Sequence, residues 1–278
     1  MKMNYCCLNG RTIPENQAFV NILDSGFLYG DGVYETIRIC NGKAFMFLGH
    51  IKRLKKSLHN AGIRFDTAVL PGAISSVLKK NNLKDAVLRI SVTRGNTAGR
   101  LPWVDSALIS RPTLLITTRS VPDTDVILKE GVKIVFLDEN LFGSTRRSLT
   151  VKSMSYQPAV LAKIYARQKG AFESVFVTRD GYVAEGASSN IFFVKERKLF
   201  TPATALGILP GITRSVVMKI ARQKRIKIVE GYFKKKELIS SDAVFLTNTS
   251  HGIIPVKMRR NWRENKILNS IILGYKRL

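Results

Sequence analysis

The chain predicts a mixed α/β (α+β) fold of two domains, a smaller N-terminal α/β domain and a larger C-terminal domain built on a mixed sheet. Three observations predict it. The dipeptides Asn9-Gly10 and Asn41-Gly42 each separate two short apolar runs, and Asn-Gly tolerates the left-handed backbone of a two-residue hairpin turn. Runs of strand length also alternate with stretches of helical periodicity along the chain. Finally, residues 119–130 interrupt the pattern with Pro122 and several acidic groups. Domains are therefore expected at 1–120 and 131–278, joined by a linker at 121–130.

Strands 4–9 and 11–14 flank the first turn, and 33–40 and 43–47 flank the second. Ile51, Leu54, Leu58 and Ala61 recur at helical spacing with Lys and Arg opposite, and Gly62 ends that helix. The pattern continues with a helix over 70–81 and strands at 86–93 and 113–118. Beyond the linker, strand 131–137 leads through a polar loop, 138–151, to a helix over 156–169. Strands at 173–178, 182–185, 189–195 and 198–201 follow, then a helix from Ile212 to Arg225 behind Pro210-Gly211. Strands near 226–230 and 243–247 bracket a short helix, and an amphipathic helix closes the chain. Hairpins outnumber βαβ crossovers, and no GxGxxG or P-loop follows a strand, which argues against a doubly wound nucleotide-binding sheet.

Composition narrows the class. Of 278 residues, 45% are hydrophobic and 23% charged, an ordinary globular balance. The charge is less ordinary: forty-five Lys and Arg face twenty Asp and Glu, a formal net charge of +25. These cations are scattered, apart from short clusters such as Lys234-Lys235-Lys236, and no zinc-finger or ribonucleoprotein motif accompanies them. Nucleic acid is therefore not the expected partner, although a field of one sign favours anionic substrates. No apolar run approaches the ~18–20 residues of a membrane span, and the start lacks a secretory signal, so a soluble cytoplasmic protein is expected. Cys6, Cys7 and Cys40 form no disulfide framework, and with His50, His59 and His251 they show no metal-ligand spacing.

Four segments could carry chemistry. Asp24–Arg38 packs three glycines into the seven residues from Gly26 to Gly32, which costs chain entropy and points to a shaped backbone. Val151-Lys152-Ser153-Met154-Ser155-Tyr156 sets a lysine between a polar loop and a helix. Glu185-Gly186-Ala187-Ser188-Ser189-Asn190 places a carboxylate between two apolar strands, where a buried acid needs a positive or hydrogen-bonding partner. Gly211-Ile212-Thr213-Arg214 opens a helix whose N–H groups suit an anion, and Thr247-Asn248-Thr249-Ser250 ends a strand in hydrogen-bonding side chains.

Together with His50-Ile51-Lys52-Arg53-Leu54, these segments resemble, in order and over nearly the whole chain, the class IV (fold-type IV) pyridoxal-phosphate enzymes. That family holds branched-chain and D-amino-acid aminotransferases and 4-amino-4-deoxychorismate lyases. The resemblance implies pyridoxal 5′-phosphate as cofactor, a Schiff base on Lys152, which then moves the Cα proton, and Glu185 facing the ring nitrogen. It puts the phosphate on the backbone of Ile212 and Thr213, with Thr249 and Arg53 completing the cup. Arg53 also reads as a charge on the outward face of its helix. Tyr156 resembles a tyrosine bonded to the ring oxygen, and equally reads as packing for the helix start.

Substrate residues implied in the same way are Tyr34, Arg100, Ser188 and Ser250. Arg100 fits the arginine of an Arg-x-His carboxylate clamp, but Pro102 stands where the histidine would be. Ser188-Ser189 follow the D-specific pattern, whereas Thr247–Val256 looks more like the lyases. The leading expectation is transamination between a branched-chain or D-amino acid and a 2-oxo acid, in a homodimer. The alternative is release of pyruvate from aminodeoxychorismate to leave 4-aminobenzoate. A more distant one is a basic nucleic-acid-binding protein without catalysis.

Overall fold

The computed structural model describes residues 4–96, 111–138 and 151–278. They fall into two compact units. One holds the described residues up to Val121 and those from 151 to Tyr156; the other holds 122–138 and Gln157–Leu278.

The first unit is built on six antiparallel strands in the order β2-β1-β6-β5-β3-β4. These are β1 (Tyr5–Leu8), β2 (Arg11–Pro14), β3 (Gly32–Cys40), β4 (Lys43–Ala44), β5 (Ala86–Thr93) and β6 (Leu114–Arg119). Both expected hairpin turns form with left-handed backbone, at Asn9 (φ 51°) and Gly10 (φ 83°) and at Asn41 (φ 49°) and Gly42 (φ 75°). Helix α2 (Phe47–Asn60) begins earlier than expected, because Met46 takes a left-handed conformation that cuts the strand after Ala44. Helix α3 (Leu70–Asn81) matches its expected span. Leu54 and Leu58 of α2 and Ile74 and Val77 of α3 bury against Ile37, Leu88, Ile90 and Ile116 of the sheet.

The glycine-rich segment takes its shape as a short helix. In α1 (Ser25–Tyr29) the Asp24 carboxylate caps the first turn by accepting from Gly26 N at 2.8 Å, and Gly30 (φ 65°) closes the last. A Cβ on Gly26 would come within 2.2 Å of Thr93 Cγ2, so this glycine serves close packing of α1 on β5. Asp24 is buried and also accepts the hydroxyls of Thr93 (2.9 Å) and Thr113 (2.6 Å).

The second unit has two sheets. A three-stranded one runs β7 (Ile134–Asp138), β8 (Glu173–Val177), β9 (Val183–Gly186). A five-stranded one takes the order β12-β11-β10-β13-β14, from β10 (Asn190–Lys195), β11 (Lys198–Pro202), β12 (Ile228–Gly231), β13 (Ala243–Asn248) and β14 (Gly252–Val256). The pairs β7–β8 and β11–β12 are parallel, which requires a crossover. Helices α5 (Gln157–Gln168) and α6 (Ile212–Gln223) lie in those connections. The segment expected as a linker carries α4 (Asp125–Glu130), and α7 (Lys235–Ile239) and α8 (Lys266–Lys276) complete the unit.

Strand β10 is apolar on both faces because both are covered. Phe192 and Val194 face the core against α6 and α8, with Phe192 stacked on Phe245 at 5.1 Å. Ile191 and Phe193 face the core shared with Val175 and Val183 of the smaller sheet. Its first residue, Asn190, follows Glu185 through a short turn, so the two cores together fix where that carboxylate stands.

Replacing Asp24 by Ala strands one buried N–H and two hydroxyls, and is expected to cost about 2–4 kcal/mol. The midpoint of urea unfolding measures it; an unchanged midpoint would show that the α1–β5 junction does not depend on this carboxylate.

Candidate active site

In the first unit, residues 152–154 lie antiparallel beside the start of β3. Tyr34 N donates to the Lys152 carbonyl at 3.0 Å and Met154 N to that of Gly32 at 2.8 Å. Lys152 N in turn donates to Ser57 Oγ of α2 at 3.2 Å. The backbone is held on both sides, and Lys152 Nζ lies 4.4 Å from the centroid of the Tyr34 ring. Tyr156 meets that ring edge-on at 5.8 Å, so it packs beside the lysine as well as preceding α5. The Arg89 guanidinium lies over the ring too, 3.9 Å from its centroid. Tyr34 is thus a buried aromatic hub for two cations. Arg89 escaped the sequence reading because it is a single charged residue in a mostly apolar strand.

Arg53 turns inward; the outward-face reading fails because a buried acid from the neighbouring strand claims the side chain. Arg53 Nε and one terminal nitrogen donate to the two oxygens of Glu35 at 2.6 and 2.8 Å. His50 Nδ1, one helical turn earlier, donates to the same carboxylate at 2.8 Å. Burial pushes the Glu35 carboxyl up, but the hydrogen bonds and charge of Arg53, then those of His50, outweigh it and hold the group at about 2 against an ordinary 4.5. Asp31 forms a second fork with Arg94 (2.6 and 3.2 Å), which also donates to the carbonyls of Ala61 and Gly62 behind α2. Arg100 lies outside the described residues.

In the second unit Glu185 is the penultimate residue of β9 and is 6% exposed. Its Oε2 accepts from Asn190 Nδ2 at 3.2 Å and from Leu209 N at 3.1 Å. Asn190 also donates to the Leu209 carbonyl at 2.8 Å, which joins the acid to the loop before α6. Gly211 at the N-cap of α6 supplies no side-chain acceptor, so the N–H groups of Ile212 and Thr213 open a helix start without a side-chain cap from that residue. The helix is clamped from behind by buried Arg214, which donates to the Pro202 carbonyl at 3.1 Å and to Glu230 at 2.7 Å.

Ser188 donates its hydroxyl to Glu173 at 2.8 Å, and Ser189 does so at 3.0 Å. Glu173 is fully buried and paired with Lys163 at 3.0 Å. Neither Glu173 nor Lys163 carried a local signal, since their partners lie many residues away. Thr249 and Ser250 form the turn between β13 and β14. Just before it, Thr247 pairs across the sheet with Asn190, and its buried hydroxyl finds no partner among the described residues.

These donors fit pyridoxal phosphate in kind. An uncapped helix start and threonine hydroxyls suit a phosphate, and an acceptor-only carboxylate suits a protonated ring nitrogen. A primary amine on a pinned backbone suits an aldehyde, and the buried Thr247 hydroxyl is a donor without an acceptor among the described residues.

Residues 32–258 match the family described as amino-transferase class IV. A protein of Methanocaldococcus jannaschii, provisionally named a branched-chain-amino-acid aminotransferase, is 36% identical over 251 residues, 90% of this chain and 85% of its own. The D-alanine aminotransferase of Bacillus licheniformis is 34% identical (89% and 86% covered). The aminodeoxychorismate lyase of Bacillus subtilis is 31% identical (89% and 84%). Among solved structures, the branched-chain aminotransferase of Thermoproteus uzoniensis with norvaline superposes with a TM-score of 0.85 at 25% identity, covering 99% of this chain and 94% of that one. An aminotransferase of Mycobacterium tuberculosis in a PLP-bound form gives 0.84 at 21% identity, covering 98% of each chain.

Two outcomes follow from this geometry. A carboxyl whose folded pKa is depressed stabilises fully above its unfolded value, and the contribution is lost as pH falls. Between pH 4.5 and about 2, the stability advantage of the wild type over Glu35→Gln is therefore expected to shrink, by on the order of 3 kcal/mol. Urea unfolding at a series of pH values measures it, and a constant difference would contradict the pairing. A Cβ at Gly211 would stand 2.0 Å from Asn190 Oδ1, whereas one at Gly72 meets nothing within 4 Å. Gly211→Ala is expected to destabilise by about 1–3 kcal/mol and Gly72→Ala to be neutral or stabilising. Equal unfolding midpoints for the two variants would refute this.

Proposed function

Because the chain belongs to the class IV aminotransferases, a pyridoxal-phosphate-dependent family, we propose that it moves an amino group between an amino acid and a 2-oxo acid, with Lys152 as the covalent anchor of the cofactor. The observation that carries this reading is the setting of Lys152: a backbone pinned to Gly32, Tyr34 and Ser57, and an amine over a buried tyrosine ring. When bound, pyridoxal phosphate supplies an electron sink for the pair released from the Cα–H bond. The Lys152 amine takes that proton and returns it. Glu185 holds a proton on the ring nitrogen, and Asn190 and Leu209 N keep its carboxylate aimed. The N–H groups of Ile212 and Thr213, the Thr249 hydroxyl and Arg53 hold the phosphate. Tyr156 borders the ring oxygen.

Tyr34, Arg89 and Ser250 are the proposed substrate contacts, with Arg100 as a second carboxylate holder. The Ser188 hydroxyl is spent on Glu173, so this residue serves the substrate chiefly by shaping the turn after Glu185. Relatives named for branched-chain amino acids and for D-alanine set the range of donors to try. The lyase reading is favoured by the Bacillus subtilis relative; it uses the same amine and carboxylate to release pyruvate from an aromatic anion. A homodimer is the proposed assembly, supported by the exposed apolar run Phe19 (81%), Ile22 (74%) and Phe27 (74%). No described helix is long and apolar enough to cross a membrane, and we place the enzyme in the cytoplasm.

The test is a donor screen on the holoenzyme, read by the cofactor's visible absorbance. D-alanine, L-leucine or L-glutamate is expected to convert the aldehyde form to the amine form. Silence towards every donor, with 4-aminobenzoate made from aminodeoxychorismate, would replace transamination by the lyase reading. Lys152→Ala is expected to abolish turnover and the label fixed by borohydride. Lys169→Ala, on the exposed end of α5's connection, should keep both; Lys163 is unsuitable as a control because it neutralises Glu173.

A further inference from the structure

Nothing in the phosphate cup explains why a buried acid and a buried imidazole surround Arg53. Glu35 is fully buried on β3 and His50 fully buried on α2. A guanidinium has five N–H groups in one plane. Glu35 takes the edge formed by Nε and one terminal nitrogen, at 2.6 and 2.8 Å, so the fork fixes the direction in which the opposite edge points. Without it, a long side chain that is 12% exposed would distribute over several rotamers. His50 holds the carboxylate in turn. Its Nδ1 donates to Glu35 Oε2 at 2.8 Å, and its buried Nε2 has no partner among the described residues. Among the described residues the imidazole makes one hydrogen bond, to the acid that orients Arg53.

We propose that Glu35, steadied by His50, is a positioning residue that aims the Arg53 guanidinium at the phosphate of the cofactor. The proposal rests on the reading of Arg53 as a phosphate ligand. Lone positive charge would draw a dianion more strongly than a neutralised pair does, yet a phosphate is best held by a guanidinium already set in one plane. Orientation outweighs the lost attraction here because Arg53 is largely buried and its fork with Glu35 is bidentate.

The experiment separates phosphate affinity from ring affinity. Dissociation constants of pyridoxal 5′-phosphate and of unphosphorylated pyridoxal are measured on cofactor-stripped enzyme, and their ratio is the readout. Arg53→Ala is expected to cut the preference for the phosphorylated form by about a hundredfold, and Glu35→Gln by about tenfold with pyridoxal binding unchanged. The double variant should match Arg53→Ala alone, because both substitutions remove one interaction. His50→Leu, which keeps the volume and the fork, should lower the preference severalfold, and it decides the matter if Glu35→Gln does not fold. A normal preference in folded Glu35→Gln, or in His50→Leu where that variant stands in, overturns the proposal. A normal preference in Arg53→Ala would instead remove Arg53 from the phosphate cup and leave the family assignment standing.

Discussion

A carboxylate cut off from water must be met by donors, and the local geometry of this enzyme is organised around three such groups. Glu35 and Glu173 are fully buried and Glu185 nearly so. Each sits on a strand and gathers donors from another element: Arg53 and His50 from α2, Ser188 and Ser189 from the turn behind β9, Leu209 N from the loop before α6. Removing a donor leaves an uncompensated charge, so the elements carrying the donors cannot drift. The same acids shape the charge of the whole molecule. With only twenty acidic side chains against forty-five basic ones, those turned inward leave the surface still more cationic.

Hydrophobic packing and these polar fixtures act in series. Strand β10 is held from both faces, by Phe192 and Val194 on one side and Ile191 and Phe193 on the other. That rigidity is passed to Asn190 at its start, and from Asn190 to Glu185 and to the loop leading into α6. Arg214 and Glu230 fix the first turn of the helix from the opposite direction. Glu185 and the start of α6 thus share one rigid connection, through Asn190 and Leu209.

Much of this was legible in the sequence wherever a local rule governs. Asn-Gly turns demanded left-handed backbone and have it, and α3 begins and ends where its periodicity does. Legibility failed where local preference and tertiary contact disagree. Glycine-rich Ser25–Tyr29 reads as loop, yet it is a helix because Asp24 caps it and Thr93 leaves no room for a Cβ. Strand β14 contains Gly252 and Pro255, which argue against a strand, but it lies at the sheet edge, where a missing N–H costs little. Among site residues, the motif positions Lys152, Glu185, Ile212 and Thr213 could be proposed from order along the chain. Arg89, Glu173 and the pair Glu35 and His50 could not, because their importance lies in partners far along the chain, such as Ser188 for Glu173 (15 positions) and Arg53 for Glu35 (18 positions).

The segment bearing Lys152 shows what such long-range pairing achieves. In sequence it lies between β7 and α5 of the second unit, but it packs with the first. Its hydrogen bonds run to Gly32 and Tyr34 on β3 and to Ser57 on α2. Ser57 stands one helical turn beyond Arg53, and Tyr34 is the neighbour of Glu35. Strand and helix that hold the Lys152 backbone are therefore the same two elements that present the Arg53 guanidinium. Alternation along β3 explains how one strand does both: Tyr34 and Glu35 point to opposite faces, one towards the lysine and the other towards the helix. A shift of β3 by a single residue would exchange those faces and lose the amine's aromatic floor and the arginine's partner together. The eight-residue register with β5, from Gly32 opposite Thr93 to Ile39 opposite Ala86, is what forbids that shift.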